Sequence, residues 1–383
     1  MIFDRFFKKD SNELKMRVVN SIPEIQQLKQ CEQSPIFHQE GNAYNHTMAC
    51  VKDAYLSLSY LSKERGWTLR EERIFIMGIL LHDIGKICTT IFKNGDYHSY
   101  GHEKRGAQIA RRILWDEKFE DREKVCSLIY WHMDRFGLLK DPINKIIEMS
   151  YNVDVSMLLE VCKCDEYGSK SRYIAKKVEG LNLIKLMEAI AKKLDCYNKP
   201  FELTYFGANH DKIMFKMDRP YKRKPILDIP TVTVLIGLSG CGKDTYINYM
   251  DKKDAVVICR DDIRADFDMC EKGEKIVGTK EQEEMVSKEF NKRLVDAAKN
   301  GKDIIINNIN LKKKYRDNYK ELLKDYAYIW NYVYIEAPTL EDNNKRHNGQ
   351  VSMDVLNQMI DGFDFPLVSE CDNLKIIKQI SKQ

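Results

Sequence analysis

Two sets of residues on this chain have the types and spacing for phosphate chemistry. The first is His46, the pair His82-Asp83, His102, His132 and Asp165; the second is Gly237-Leu238-Ser239-Gly240-Cys241-Gly242-Lys243-Asp244-Thr245. Neutral imidazoles with a few carboxylates bind a divalent ion and leave positions for water and a substrate oxygen. A Gly-x-x-x-x-Gly-Lys run lets backbone N–H groups turn inward onto phosphate, and its lysine reaches the β- and γ-phosphates of a nucleotide. The first set is suited to removing phosphate and the second to adding it.

The elements that must position the first set read as helices. Phe75, Gly78, Ile79 and His82 follow the i, i+3, i+4, i+7 spacing of one helix face, as do Val125, Leu128, Ile129 and His132, and again Leu158, Val161, Cys162 and Asp165. In each, a metal-capable side chain continues the stripe that packs inward, so distant ligands meet in the middle of an all-α bundle. From about residue 198 to 229 the pattern breaks, with Pro200, Pro220, Pro225 and Gly207. The basic cluster Lys212, Lys216, Arg219, Lys222, Arg223 and Lys224 falls in the same stretch and is either a solvated linker or a phosphate-backbone contact. Beyond it, strand candidates at 232–236, 255–259, 303–307 and 332–336 alternate with helical stretches at 243–250, 281–299 and 312–325. That alternation predicts βαβ units and a parallel sheet. The domain organisation expected is therefore 1–200, a linker at 201–229, and 230–383.

Composition narrows the class. A chain of 383 residues exceeds what one core usually serves, and 43% hydrophobic with 31% charged residues is a globular composition. The longest apolar run, 75–81, is far short of a bilayer span, which excludes a membrane partner. The start of the chain lacks a signal peptide's apolar region, and the eleven cysteines form no paired framework, so reduced thiols in the cytoplasm are expected. A formal charge of +4 is too small to imply a partner by itself.

The order His, His-Asp, His, His, Asp resembles the HD superfamily of metal-dependent phosphohydrolases, with Leu80-Leu81-His82-Asp83-Ile84-Gly85-Lys86 and Gly101-His102-Glu103-Lys104-Arg105-Gly106-Ala107 as the matching segments. The resemblance covers roughly 35–195. It implies that His46, His82, Asp83 and Asp165 hold one divalent ion and that Asp83 bridges to a second held by His102 and His132. The ion or ions would be transition metals such as Mn, Ni, Co, Zn or Fe. Lys86 is either a point charge for a phosphate oxygen or a surface lysine at a helix end. His98 reads as a loop residue, and His38 has no assigned partner.

In the second set, Asp244 stands where a Ser or Thr hydroxyl normally meets magnesium. Its carboxylate would then bind the ion directly or through water, Thr245 would contact another phosphate, and metal dependence would be altered. The segment Cys259-Arg260-Asp261-Asp262-Ile263-Arg264, at a strand's carboxyl end, resembles that of phage-type 5′-hydroxyl polynucleotide kinases over roughly 230–366. By that resemblance Asp261 is the general base on the acceptor hydroxyl, Arg264 grips the acceptor's 3′-phosphate and Arg346 clamps donor phosphates from a lid. Arg260, Asn308 and Asn310 would complete the acceptor side, with Asn308 standing where the family carries an aspartate. Asp262 reads as a helix cap or a supporting residue.

Together the resemblances imply an α-helical HD bundle followed by an α/β P-loop kinase, as in bifunctional end-healing enzymes. Such an enzyme would transfer the γ-phosphate of ATP or another NTP, with Mg2+, to 5′-hydroxyl ends of RNA or DNA. Its HD domain would hydrolyse 2′,3′-cyclic, 2′- or 3′-phosphate ends, and a separate ligase would seal the product. Two alternatives stand beside it: a nucleotide-metabolism enzyme joining a nucleotidase-like HD domain to a nucleoside or nucleotide kinase, and a nucleotide-regulated HD module.

Overall fold

Thr68 and Glu71 start the helix that leads to His82. The Thr68 side chain accepts from the Glu71 N–H while Glu71 reaches back to the Thr68 N–H, a reciprocal cap that satisfies two N-terminal donors. In this computed structural model, residues 19, 21–202, 229–250, 254–269, 278–336, 339–346 and 351–378 are described. The basic cluster between Lys212 and Lys224 lies outside them. The chain divides into two units, 1–202 and 203–383.

The first unit is helical: α1 (Pro23–Gln27), α2 (Ala43–Arg65), α3 (Leu69–Leu81), α4 (Lys86–Thr89), α5 (His102–Asp116), α6 (Arg122–Trp131), α7 (Pro142–Asn152), α8 (Val155–Gly168) and α9 (Ile174–Lys193). The three apolar stripes are buried as expected, with Phe75, Ile79, Val125, Ile129, Leu158 and Val161 essentially without solvent contact. Asn42 caps α2 by accepting from Asn45 N–H at 2.9 Å, and Asp154 caps α8 by accepting from Met157 N–H at 3.0 Å. Helices α2, α3, α6 and α8 pack on one another and enclose the site. One antiparallel hairpin, β1 (Ile91–Lys93) and β2 (Asp96–His98), interrupts the helices. Its turn is Asn94-Gly95, both at positive φ of 55° and 80°, the pair a tight two-residue hairpin favours. His98, expected in a loop, ends β2.

The second unit holds a five-stranded parallel sheet in the order β4-β5-β3-β6-β7, formed by β3 (Thr231–Ile236), β4 (Val256–Ile258), β5 (Ile304–Asn307), β6 (Ile329–Glu336) and β7 (Asn373–Lys378). Its helices are α10 (Lys243–Tyr249), α11 (Arg260–Asp266), α12 (Lys280–Lys299), α13 (Lys313–Leu322), α14 (Leu340–Arg346) and α15 (Met353–Asp361). Val234 pairs with Ile306 on one side and Tyr332 on the other, all three buried, as both-face coverage of a parallel sheet requires. Four strands match the expected ones to within a few residues; β6 begins three residues earlier, and β7 is additional to them. Strand β7 is an edge with Lys375, Ile376 and Lys378, so its apolar pattern is weak. Among the described residues no helix is long and apolar enough to cross a membrane.

Candidate metal centre and phosphate site

The four histidines of the first set arrive from four helices. His46 lies one turn into α2, His102 opens α5, and His82 and His132 are the residues that end α3 and α6. Three of them are fixed by one device. Nδ1 of His82, His102 and His132 sits 2.7, 2.8 and 2.7 Å from the carbonyl three residues earlier, of Ile79, Ser99 and Ile129. A carbonyl only accepts, so Nδ1 carries the proton and each Nε2 lone pair faces inward. His46 follows the same rule with a carboxylate, its Nδ1 lying 3.0 Å from Glu40 Oε1. The carboxyl ends of α3 and α6 also aim their negative dipole ends toward the cluster, which favours a cation there.

The inward atoms form two adjoining groups. His46, His82 and Asp165, with Cys50, offer ligand atoms within 4.8 Å of one another, and so do Asp83, His102 and His132. Asp83 faces both: Oδ2 lies 3.5 Å from His82 Nε2 and 3.7 Å from His46 Nε2, while Oδ1 lies 3.3 Å from His102 Nε2. All six residues expected as ligands are therefore brought together, with Asp83 between the two groups. Gly85 permits this approach, because a Cβ there would overlap the His102 carbonyl.

The donor set fits a divalent metal. His102 Nε2 and His132 Nε2 stand 3.2 Å apart as two lone pairs, and buried His82 Nε2 makes no hydrogen bond. A cation between them relieves the repulsion and occupies the orphan. The electrostatics agree at Asp83, Asp165 and His132, whereas at His46 burial opposes ionisation but Cys50, Asp165 and Glu40 hold the imidazole well above its ordinary range. Burial opposes ionisation of Asp83, yet Lys86 and the surrounding imidazoles hold it well below the usual carboxylate range. Burial likewise opposes ionisation of Asp165, which Arg135 and His46 hold well below that range. Burial pushes His132 well down, with His102 and His82 adding to the effect, which leaves it neutral and able to ligate.

Sequence reasoning missed several supporting residues. Arg135 donates from Nη2 to Asp165 Oδ2 at 2.7 Å and from Nη1 to the His132 carbonyl at 2.5 Å. Glu40 ties His46 to His38, whose Nδ1 is 2.8 Å from Oε1. Cys50, one turn after His46, has its sulfur 3.5 Å from His46 Nε2. Lys86 is buried rather than a surface residue, donating to Asp83 Oδ2 at 2.7 Å and Gln33 Oε1 at 2.6 Å. A cavity of about 590 Å³ opens onto Asp83, Lys86, His102, His132 and Asp165.

In the second unit the Gly237–Thr245 loop joins β3 to α10, with Gly240 and Gly242 at φ of 79° and 94°, where a side chain would be strained. Ser239 and Cys241 are buried within it, and Thr245 lies in the first turn of α10. Lys243 Nζ arches back over the loop, donating to the carbonyls of Gly237 and Leu238 at 3.1 and 2.9 Å. Asp244 Oδ1 accepts from Asn307 Nδ2 at 2.7 Å.

At the end of β4, Arg260, Asp261 and Arg264 lie together on α11. Arg264 donates to Asp261 Oδ1 at 2.5 Å and grips Glu283 of α12 through Nε and Nη2 at 2.7 and 2.8 Å. Arg260 Nη2 reaches Glu283 Oε2 at 2.9 Å, so the two arginines share one carboxylate. The arginines and neighbouring N–H groups hold Glu283 down to about 2. Asn308 Oδ1 accepts from the Arg260 N–H at 3.1 Å. Asn310 is not brought to this face: it is buried, donates to the Leu235 carbonyl at 2.8 Å, and accepts from Tyr319 at 2.8 Å. Asp262 lies in the first turn of α11, where Cys259 rather than Asp262 is the capping position. Arg346 ends α14, and its side chain is outside the described residues.

Residues 44–161 match the family model described as the HD domain, and residues 232–366 match one described as an AAA domain. The first range ends four residues before Asp165, and the second runs from β3 past α15. A "Multifunctional CCA protein" of Halorhodospira halophila is 26% identical over 160 residues, 39% of this chain. The match spans about a third of that protein's length, 35%. The chain thus carries a helical HD domain followed by a P-loop domain of kinase-like type.

Proposed function

We propose that this chain, an HD domain followed by a P-loop domain, heals broken nucleic-acid ends. The P-loop domain would phosphorylate 5′-hydroxyl ends, and the HD domain would remove 2′,3′-cyclic, 2′- or 3′-phosphates, leaving ends for a separate ligase. The observation that carries the reading is Asp261 beside Arg264 and Arg260 at the carboxyl end of the sheet that presents the phosphate loop. A carboxylate next to guanidinium groups suits an acceptor that brings both a hydroxyl and a phosphate, which a nucleic-acid end does.

At the kinase site the acceptor 5′-oxygen attacks the γ-phosphorus as the bond to the β–γ bridging oxygen breaks and nucleoside diphosphate leaves. Asp261, its side chain 40% exposed, takes the hydroxyl proton. The loop N–H groups and Lys243 hold the donor phosphates, while Arg264 holds the acceptor. Asp244 and Thr245, at the start of α10, would hold Mg2+, which would offset charge on the donor phosphates.

At the HD site, His46, His82, Asp83, His102, His132 and Asp165 would hold one or two divalent ions. A bound ion supplies Lewis acidity to the phosphoryl oxygen and lowers the pKa of a bound water. Lys86 offers a point charge inside the cavity, and Arg135 and Glu40 keep Asp165 and His46 in place. In hydrolysis a water oxygen bonds to phosphorus, one P–O bond to ribose breaks, and the water's proton passes to the released ribose oxygen.

The test is incubation with labelled ATP and an RNA oligonucleotide bearing a 5′-hydroxyl and a 2′,3′-cyclic phosphate, across Mg2+, Mn2+, Ni2+ and Zn2+. Label at the 5′ end with an opened, dephosphorylated 3′ end is expected; Asp261→Ala should abolish only the first and Asp83→Ala only the second. Phosphate transfer to free nucleosides in preference to oligonucleotides would overturn the reading.

A further inference from the structure

The cavity beside the histidine cluster is lined by more than phosphate-handling groups. Phe37, Tyr97, Tyr100 and Phe136 also line it, and Phe37, Tyr100 and Phe136 are 42%, 74% and 55% exposed. Four aromatic rings around one opening leave apolar area in water that a flat ligand would cover. Three of the four have a visible support. Tyr100 stacks on His98 with rings 5.2 Å apart and 8° from parallel, and its hydroxyl lies 3.3 Å from His98 Nδ1. Phe136 lies under the Arg135 guanidinium at 4.4 Å, and the same guanidinium holds Asp165. The hairpin carrying Tyr97 is tied down by Ser34 Oγ donating to Asp96 Oδ2 at 2.7 Å. An aromatic ring is thus one residue away from each of two groups that fix the cluster or its mouth.

We infer that this rim is a nucleobase platform, so that the HD site takes the unpaired terminal nucleoside of a phosphorylated end rather than any phosphate ester. The inference rests on reading the histidine cluster as a phosphoesterase site. The cavity volume of about 590 Å³ falls in the range of small-ligand pockets and suits one nucleotide. Stacking tolerates every base, so the platform gives preference for a base-bearing end without sequence specificity.

The experiment compares two oligonucleotides, one ending in adenosine 2′,3′-cyclic phosphate and one ending in an abasic ribose 2′,3′-cyclic phosphate, on the full chain. A separate binding readout is saturation-transfer NMR of adenosine 2′,3′-cyclic phosphate. Wild-type protein should prefer the adenosine end by at least about tenfold in kcat/KM, the equivalent of ~1.4 kcal/mol of stacking. The preference should collapse in Phe37→Ala and Tyr100→Ala, together with saturation transfer to the adenine protons, and persist in Tyr100→Phe. Equal treatment of both ends by wild-type protein, with turnover intact, overturns the platform and leaves the phosphoesterase. Saturation transfer to adenine that vanishes in the Ala variants, with no ester hydrolysed under any metal, supports the platform and sinks the phosphoesterase reading.

Discussion

Asp244 and Asn307 form a carboxylate–amide pair, 2.7 Å between Oδ1 and Nδ2, that joins the phosphate loop to the end of β5. In P-loop proteins generally the loop contributes a hydroxyl to Mg2+ and a strand end contributes the carboxylate. Here the negative charge sits on the loop and the neutral partner on the strand. The partner is Asn307, not Asn308, whose side chain instead accepts from the Arg260 backbone.

The exchange of positions predicts a compensating pair. Asp244→Ala should weaken Mg2+-dependent ATP binding by about 10- to 100-fold, the usual cost of removing a metal partner or its support. Asn307→Asp alone should weaken it through two carboxylates in contact. Asp244→Ser with Asn307→Asp moves the charge to the strand and should recover most of the loss. Calorimetric ATP titrations over a range of Mg2+ concentrations read all three; failure of the double variant to exceed the single ones refutes the exchange.

Glu283 is the second carboxylate that matters at this end of the sheet. It orients both Arg260 and Arg264, so Glu283→Ala should lower kcat/KM for a 5′-hydroxyl oligonucleotide about tenfold while leaving the KM for ATP unchanged. Its pH behaviour follows from its depressed pKa. A carboxyl lowered from 4.5 to about 2 keeps the clamp whole above about 4.5 and releases it only as pH falls toward about 2. Kinase pH profiles between 5 and 9 should therefore show no inflection that Glu283→Gln removes.

How much of this was readable follows from what each residue's neighbours reveal. His82, His132 and Asp165 were legible because each extends an apolar helical stripe, so that spacing alone aims them inward. Arg135 stands three residues after His132, but its partners Asp165 and Glu166 come from another helix, and nothing local announces them. Glu283 is equally silent, since its clamp forms across 19 and 23 residues of sequence. The hairpin was missed: Asn94-Gly95 is a turn signal that could have found it, but its three-residue strands are too short to show alternation. Asn310 had the right motif and the wrong depth: a conformation at φ 51° turns its amide into the sheet.

Glu123 should contribute to the acid response of the HD domain. Arg111 reaches it through Nε and Nη2 at 2.9 to 3.0 Å, and Arg122 joins at 3.2 Å while stacking on Trp115 at 4.0 Å. Burial opposes its ionisation, but the two guanidinium groups win and lower its pKa. A lowered carboxyl stabilises fully above its unfolded value near 4.5 and loses that contribution as pH falls below it. Glu123→Ala removes the carboxylate that the buried Arg111 and Arg122 share and should cost about 3 kcal/mol. Thermal unfolding followed from pH 7 to pH 3 should show wild type and variant converging on acidification; parallel curves would refute the assignment.

Gly85 sets how closely Asp83 approaches His102 while it faces His46 and His82. Helix α4 packs so closely on the first turn of α5 that a Cβ at 85 would overlap the His102 carbonyl and come within 2.6 Å of Gly106 N. Backbone atoms cannot rotate away, so Gly85→Ala must push α5 outward and carry His102 away from Asp83 Oδ1, now 3.3 Å distant. His46 and Asp165 belong to α2 and α8 and His82 follows α3, so that movement acts first on His102. The variant should lose stability by about 1–3 kcal/mol, as overpacking does. Metal titration followed by calorimetry should show the Asp83, His102 and His132 group weakened at least tenfold relative to the His46, His82 and Asp165 group. Equal weakening of both groups would mean that the cluster behaves as a single site, and unchanged binding would mean that α5 does not set its geometry.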